Sequence, residues 1–101
     1  MLVPLERPDF SVRFAVGAEQ LRAEIVSYAK DIARKLGMLD PKEKRELDDI
    51  VYYANKEMFQ KAIIACGAFD SYLRRADAPA DAKSLSYNKI HRITDLYKAY
   101  R

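Results

Sequence analysis

Apolar residues recur every three or four positions along most of this chain, which is the spacing of one face of a helix. The pattern is clearest over residues 18–36, where charged residues fill the intervening positions. It returns over 41–76 and over 84–100, and the stretch between them contains Pro79. The apolar positions are Leu21, Ile25, Tyr28, Ile32 and Leu36 in the first segment, Leu47, Ile50, Val51, Ala54, Met58, Ala62, Ala65 and Phe69 in the second, and Ile90, Ile93, Leu96, Tyr97 and Tyr100 in the third. We therefore predict helices at 18–36, 41–76 and 84–100.

The second helix has a strong start signal in the residues that precede it. The Asp40 side chain can accept hydrogen bonds from the first free N–H groups of a helix. Pro41 sacrifices no hydrogen bond at the first helical position, and Glu43 completes a capping box. We therefore expect this helix to begin at Pro41.

The same helix is too long to run straight through a small domain. A helix over 41–76 would be about 54 Å long, whereas a compact domain of about 100 residues has a radius of gyration of about 13 Å. We therefore expect a break between Asn55 and Phe59, with a kink at Gly67 as the alternative.

Residues 9–16 follow a different pattern, in which every second residue is a large apolar one. A period of two is typical of a strand, and the prolines at positions 4 and 8 disfavour helix just before it. A lone strand cannot satisfy its own backbone hydrogen bonds. We therefore predict an extended arm over 1–17, which either lies on the helices, pairs with a partner, or joins two copies into a homodimer through 9–16.

The segment Phe10-Ser-Val-Arg-Phe14, followed by two helices, resembles the ribbon of ribbon-helix-helix repressors, in which paired strands of a dimer enter the DNA major groove. The resemblance implies that Ser11 and Arg13 face the bases. The chain departs from that family because its first helix is longer and because Arg13 is the only strongly basic outward residue of the segment.

Composition supports a folded helical domain. Half of the 101 residues are hydrophobic and 33% are charged, which is typical of a globule and too apolar for a disordered chain. The expected fold is a single all-α domain over 1–101: a three- or four-helix bundle with an extended N-terminal arm or a single short strand.

Cysteine content and hydropathy bear on the location of the protein. Cys66 is the only cysteine, so no disulfide can form within the chain. The N-terminus has charged residues where a secretory signal would be apolar, and the longest apolar run is 62–69, far short of about 20 residues. We therefore expect a cytoplasmic protein without a membrane partner.

Residue types that carry chemistry are scarce. With one histidine and one cysteine, a zinc or iron–sulfur site is not expected, and neither is any other cofactor. Glu46, Asp48 and Asp49 alternate with basic residues and fit a solvated helix face better than a cation site. A nucleophilic Cys66 activated by His91 is conceivable, but this cysteine lies in the most apolar segment, where a thiol is normally inert. We therefore predict that the protein is not an enzyme.

Basic residues are concentrated in the C-terminal half, where residues 51–101 contain nine Lys or Arg against five Asp or Glu. Tyrosines alternate with these cations, and both residue types serve nucleic-acid contacts. A helical projection spreads the cations around the last helix, which favours core tyrosines beneath a solvated basic face. The candidate nucleic-acid-binding residues are Arg74, Arg75, Lys83, Lys89, Arg92, Lys98 and Arg101.

Protein binding is the remaining class, because a helical domain without catalytic groups can still present aromatic and apolar anchors. The candidate protein-binding residues are Phe10, Val12, Arg13, Phe14, Tyr52 and Tyr53. The alternative for the two tyrosines is that they fill the second face of a buried helix. We therefore predict a small non-enzymatic regulator, adaptor or inhibitor that contacts another protein. The alternative is a nucleic-acid-binding protein that uses the basic C-terminal region or a dimeric N-terminal ribbon.

Overall fold

A computed structural model describes the backbone of residues 3–101 and the side chains of residues 17–101. Along residues 3–101, four helices follow one another: α1 (Val3–Leu36), α2 (Pro41–Asn55), α3 (Phe59–Arg75) and α4 (Ala80–Tyr100). Within residues 3–101 there is no strand. Each helix packs against its neighbours in the chain, α1 also packs against α4, and α1 contacts α3 across the bundle. The expected all-α bundle is confirmed, with four helices.

The N-terminal residues differ from the extended arm that their alternating pattern predicts, because α1 begins at Val3 and includes residues 9–16. Alternation does not exclude a helix, since Phe10 and Phe14 are also four residues apart, which is a helical spacing. The first turn tolerates Pro4, because its missing N–H would have no partner there. The predicted contacts of the side chains in 1–16, including homodimer pairing through 9–16, lie outside the described residues.

The start of α2 matches the sequence signal. The Asp40 carboxylate accepts a hydrogen bond from the Glu43 N–H at 2.8 Å, and the Glu43 carboxylate accepts one from the Asp40 N–H at 3.1 Å. The Tyr72 hydroxyl of α3 donates a hydrogen bond of 2.6 Å to the same Glu43 side chain. The capping box is therefore confirmed, and it also joins the start of α2 to α3.

Residues Lys56 to Met58 separate α2 from α3, inside the interval where the length argument places a break. The chain turns there at Glu57, whose φ of 59° is left-handed. The Met58 N–H bonds to the Tyr53 carbonyl at 2.9 Å, as in a Schellman motif. Asp77, with a φ of 55°, ends α3 in the same way. Both turns hold a non-glycine residue in a conformation that favours glycine.

The helix α4 begins at Ala80, one turn before the predicted start at residue 84. Pro79 occupies the N-cap position, and the alanines that follow it are good helix formers. Ser84 and Ser86 therefore lie inside the helix, and Ser86 is fully buried.

The core contains side chains from all four helices, and most of them are positions that the three-to-four-residue spacing marks; Met58 is an exception, because it is 41% exposed. Its fully buried members include Leu21, Ile25, Tyr28, Ile32, Ile50, Ala54, Ala62, Cys66, Phe69, Leu73 and Ile93. The helix α3, which is apolar nearly all round in sequence, is not enclosed on every side, because Ile64 is 65% exposed.

Candidate interaction surface

An open apolar groove of about 520 Å³ lies between α1 and α2. Its α1 side is formed by Ala29 and Ala33, which are four residues apart and leave room because their side chains are short. Its α2 side is formed by Leu47 and Val51. We call this feature the α1–α2 groove; its full lining is Ala29, Lys30, Ala33, Leu39, Lys44, Leu47, Asp48, Val51 and Tyr52.

Tyr52 stands at one end of this groove and is 55% exposed. Its ring meets the ring of Tyr53 edge-on, with centroids 5.9 Å apart. The Lys56 ammonium lies 5.8 Å from the centroid of the Tyr52 ring, within the range of a cation–π contact. These two neighbours hold a large aromatic side chain in place at the surface.

Tyr53 adjoins Tyr52 in sequence and lies about 100° further round α2. It is partly buried against the core and lines a separate depression between α2 and α3. The Lys61 ammonium lies 5.3 Å from its ring centroid. The structure therefore places only Tyr52 of this pair at the α1–α2 groove.

Of the other predicted protein-binding residues, Phe10, Val12, Arg13 and Phe14 have side chains outside the described residues. Sequence reasoning missed the rest of the groove. Ala29, Ala33, Leu47 and Val51 belong to the apolar faces of α1 and α2, and periodicity alone assigns such positions to the core. Their arrangement as a groove depends on how far apart the two helices pack.

A second groove, of about 510 Å³, lies between the start of α3 and the end of α4. Met58, Ile64 and Tyr97 line it, together with Phe59 and Tyr100. A Cβ atom placed on Gly17 would lie 3.7 Å from the Tyr100 ring, so this groove borders the point where described side chains of α1 begin.

The basic candidates do not gather into one patch. Arg74, Arg75 and Lys83 lie near the turn between α3 and α4, whereas Lys98 and Arg101 are at the other end of α4. Lys83 and Lys98 are separated by about 22 Å along the helix. The structure therefore brings together the first three residues but not all seven.

Four of these cations form ion pairs with carboxylates of the bundle. The pairs are Arg74 with Asp70 at 3.0 Å, Lys83 with Asp77 at 3.6 Å, Lys89 with Asp31 at 3.2 Å, and Arg92 with Glu24 at 3.0 Å. Burial alone would raise the pKa of Asp31, but hydrogen bonds from Lys89, Ser27 and Arg34 and the Lys89 charge lower it. Lys89 and Arg92 therefore join α4 to α1 in addition to carrying charge at the surface.

A buried polar chain, which sequence reasoning missed, joins α1, α4 and α3. The Tyr28 hydroxyl lies 2.7 Å from Ser86 Oγ, and Ser86 donates a hydrogen bond of 2.7 Å to Asp70 Oδ1. Since the Ser86 hydroxyl has one proton and gives it to Asp70, it accepts the Tyr28 proton, for which the Cys66 carbonyl at 3.4 Å is a second and more distant acceptor. Burial raises the pKa of the Tyr28 hydroxyl well above its usual value. In the sequence, Ser86 lies four residues after Ala82 and seven before Ile93. This helical spacing places it on the buried face of α4 and could have indicated its burial.

Cys66 lies in the core, whereas His91 lies at the surface. Cys66 is fully buried, and burial raises the pKa of its thiol to about 12. His91 is exposed on α4, with its ring 4.5 Å from that of Tyr87. A protonated thiol inside the core is neither nucleophilic nor within reach of a substrate.

In the part of the chain that the structure describes, no three His, Cys, Asp or Glu side chains cluster in a way that could hold a metal ion. None of the helices over 3–101 combines the length and the apolar character needed to cross a membrane. Comparisons with protein-family models, with curated proteins and with solved structures found no match to this chain.

Proposed function

We propose that this protein acts without catalysis, by binding another protein through the α1–α2 groove. A small regulator, adaptor or inhibitor would work in this way. The observation that carries the proposal is the half-exposed Tyr52 beside an open apolar groove. We further propose a cytoplasmic location, because the single cysteine leaves the chain without an internal disulfide.

The contacts of Tyr52 support a role as an anchor. Tyrosine offers a large contact area for the loss of only two side-chain torsions, and such residues dominate the affinity of many interfaces. The ring is already positioned by Tyr53 and Lys56, so little further ordering is needed when a partner covers it. A partner that covers the groove would also bury Leu39 and Val51, which are only partly buried in the bundle.

A capture experiment with two matched tyrosine variants tests this proposal. Immobilised wild-type protein, Tyr52→Ala and Tyr87→Ala would be incubated with lysate of the native host, and retained proteins would be identified by mass spectrometry. Tyr87 is 51% exposed on α4 and does not line the groove, so it serves as the control. We expect a protein that wild type and Tyr87→Ala retain, and that Tyr52→Ala binds at least about 30-fold more weakly, as for an anchor worth about 2 kcal/mol. Equal retention by all three proteins, or retention of nothing, would contradict the proposal.

The second candidate function is nucleic-acid binding by the basic C-terminal region. The arrangement that favours it is at the end of α4, where the Arg101 guanidinium lies 5.6 Å from the Tyr97 ring centroid and Lys98 is exposed. A mobility-shift titration with duplex DNA and RNA would show an affinity that falls steeply with salt if phosphates are contacted. The absence of a shift at micromolar protein and low salt would remove this candidate.

A further inference from the structure

We infer that the partner segment that occupies the α1–α2 groove is an acidic amphipathic helix. The inference rests on the proposed function and adds the chemistry of the partner to it. Its basis is the combination of an apolar groove between two helices with an excess of lysines along the edges.

The shape of the groove suits a helix. It runs between two helices that are joined by the short turn of residues 37–40 and therefore run in opposite directions. From Lys44 to Tyr52 its α2 side extends about 12 Å, which matches about two turns of a partner helix. The short side chains of Ala29 and Ala33 would let that helix approach closely, and the partly buried Leu39 and Val51 would contact its apolar face.

The charged residues at the edges of the α1–α2 groove indicate that the partner segment is negatively charged. Lys30 and Lys44 line the groove, and Lys56 lies over the exposed Tyr52 ring. The only carboxylate in the lining is that of Asp48, which pairs with Lys44 at 3.3 Å. Among the side chains of residues 17–101, neither Lys30 nor Lys56 forms an ion pair. Carboxylates beside the apolar face of the partner would meet these ammonium groups.

The same charges argue against a second copy of this chain as the occupant. A two-fold dimer through the groove would bring the same surface of each copy together. Lysines along the groove of one copy would then face those of the other, and like charges across an interface are unfavourable. A nucleic acid would gain from the lysines but has no apolar face for Leu39 and Val51.

The test uses two stapled helical peptides as probes. Both carry leucines at helical spacing on one face of an alanine-based sequence; one has glutamates beside the leucines, and the other has lysines at the same positions. Binding of each fluorescent peptide to the full chain would be measured by anisotropy. We expect the glutamate peptide to bind with micromolar affinity and the lysine peptide at least about tenfold more weakly.

Variants of the protein test whether the preference for the glutamate peptide arises at the α1–α2 groove. Lys30→Glu should reduce the preference for the glutamate peptide about tenfold, whereas Lys98→Glu, which is distant on α4, should leave it unchanged. Tyr52→Ala should weaken both peptides. Sedimentation of the wild-type protein would show whether a second copy fills the groove instead.

Three outcomes would overturn the inference: equal binding of both peptides, no binding of the glutamate peptide at hundreds of micromolar, or a dimer that Tyr52→Ala dissociates. The first two can occur while the Tyr52-dependent capture of a host protein still succeeds. In that event the proposed function stands and only the acidic helical partner is wrong. Loss of the captured protein in every variant, including Tyr87→Ala, would instead count against the proposed function.

Discussion

The two sides of α1 make very different contacts. Towards α4 it forms the hydrogen bond from Tyr28 to Ser86 and the ion pairs of Asp31 with Lys89 and Glu24 with Arg92. Towards α2, no side-chain hydrogen bond or ion pair joins the two helices among residues 17–101. Directional bonds cross the first interface, beside a polar-edged depression of about 870 Å³ lined by Glu24, Lys89 and Arg92, whereas the second interface is apolar and opens into the α1–α2 groove.

This difference separates residues that fix the fold from residues available for contact. A hydrogen bond in the core requires its partners at defined positions, so it fixes how two helices are aligned. Apolar contacts are not directional, and a groove lined by them stays adaptable to a partner. We therefore expect substitutions on the α4 side of α1 to change stability, and substitution of the exposed groove residue Tyr52 to change binding; Ala29 and Leu47 line the groove but also belong to the core.

The largest effect on stability is expected for Ser86→Ala. This change removes the nearer acceptor for the Tyr28 proton, which leaves only the Cys66 carbonyl at 3.4 Å, and it removes the donor to Asp70 at a site that water does not reach. We expect the free energy of unfolding to fall by about 2–3 kcal/mol. Denaturant unfolding followed by circular dichroism would measure it, with the exposed Ser84→Ala on the same helix as control. If the two variants have the same midpoint, the polar chain does not stabilise the α1–α4 side.

A smaller effect is expected at alkaline pH, because the pKa of Tyr28 is raised by burial. The unfolded chain ionises this hydroxyl from about pH 10, whereas the folded protein keeps it neutral. The contribution of the neutral Tyr28 hydroxyl to the free energy of unfolding is therefore present below about pH 10. It is lost as the pH rises further, and the loss is about 1 kcal/mol at pH 11. Tyr72 acts in the same direction, since its hydrogen bond to Glu43 raises its pKa to about 12.

Unfolding measurements at pH 9 and pH 11 would detect this dependence. Between pH 9 and pH 11, the free energy of unfolding of Tyr28→Phe should fall by about 1 kcal/mol less than that of wild type, because the variant has no hydroxyl to ionise at that position. An equal loss in both proteins would mean that Tyr28 ionises in the folded bundle at its usual pKa.

The smallest effect is expected for Tyr52→Ala, on the groove side of the comparison. Its ring is more than half exposed and forms no hydrogen bond to another helix among the described side chains. We expect a change of less than about 0.5 kcal/mol in the free energy of unfolding, measured by the same denaturant assay. A loss as large as that of Ser86→Ala would show that Tyr52 supports the fold and would remove the contrast between the two sides.

Sequence predicted the features that depend on local chemistry. Asp40 and Glu43 form the capping box within a single turn of chain, and Leu21, Ile25 and Ile32 are buried because a helix with that spacing must hide one face. The break after Asn55 lies in the predicted interval, but the argument for it used the size of the whole domain and left Gly67 as the alternative.

The features that sequence could not predict depend on which helices meet. Ser86 is as polar as the exposed Ser84, and only the positions of Tyr28 and Asp70 on other helices explain its burial. Lys89 and Arg92 are ordinary solvated cations in a helical projection, but α1 supplies a carboxylate to each. The α1–α2 groove likewise exists only because two apolar faces pack without filling the space between them.

The burial of Cys66 has a practical consequence for measuring the motions of this bundle. The thiol is fully enclosed, so a small alkylating reagent can modify it only during the intervals when the helices separate. The rate of its modification under native conditions therefore reports how often the bundle opens, without any introduced label. A ligand that clamps α1 to α2 would slow that rate, which turns the lone cysteine into an internal reporter of occupancy at a surface it does not touch.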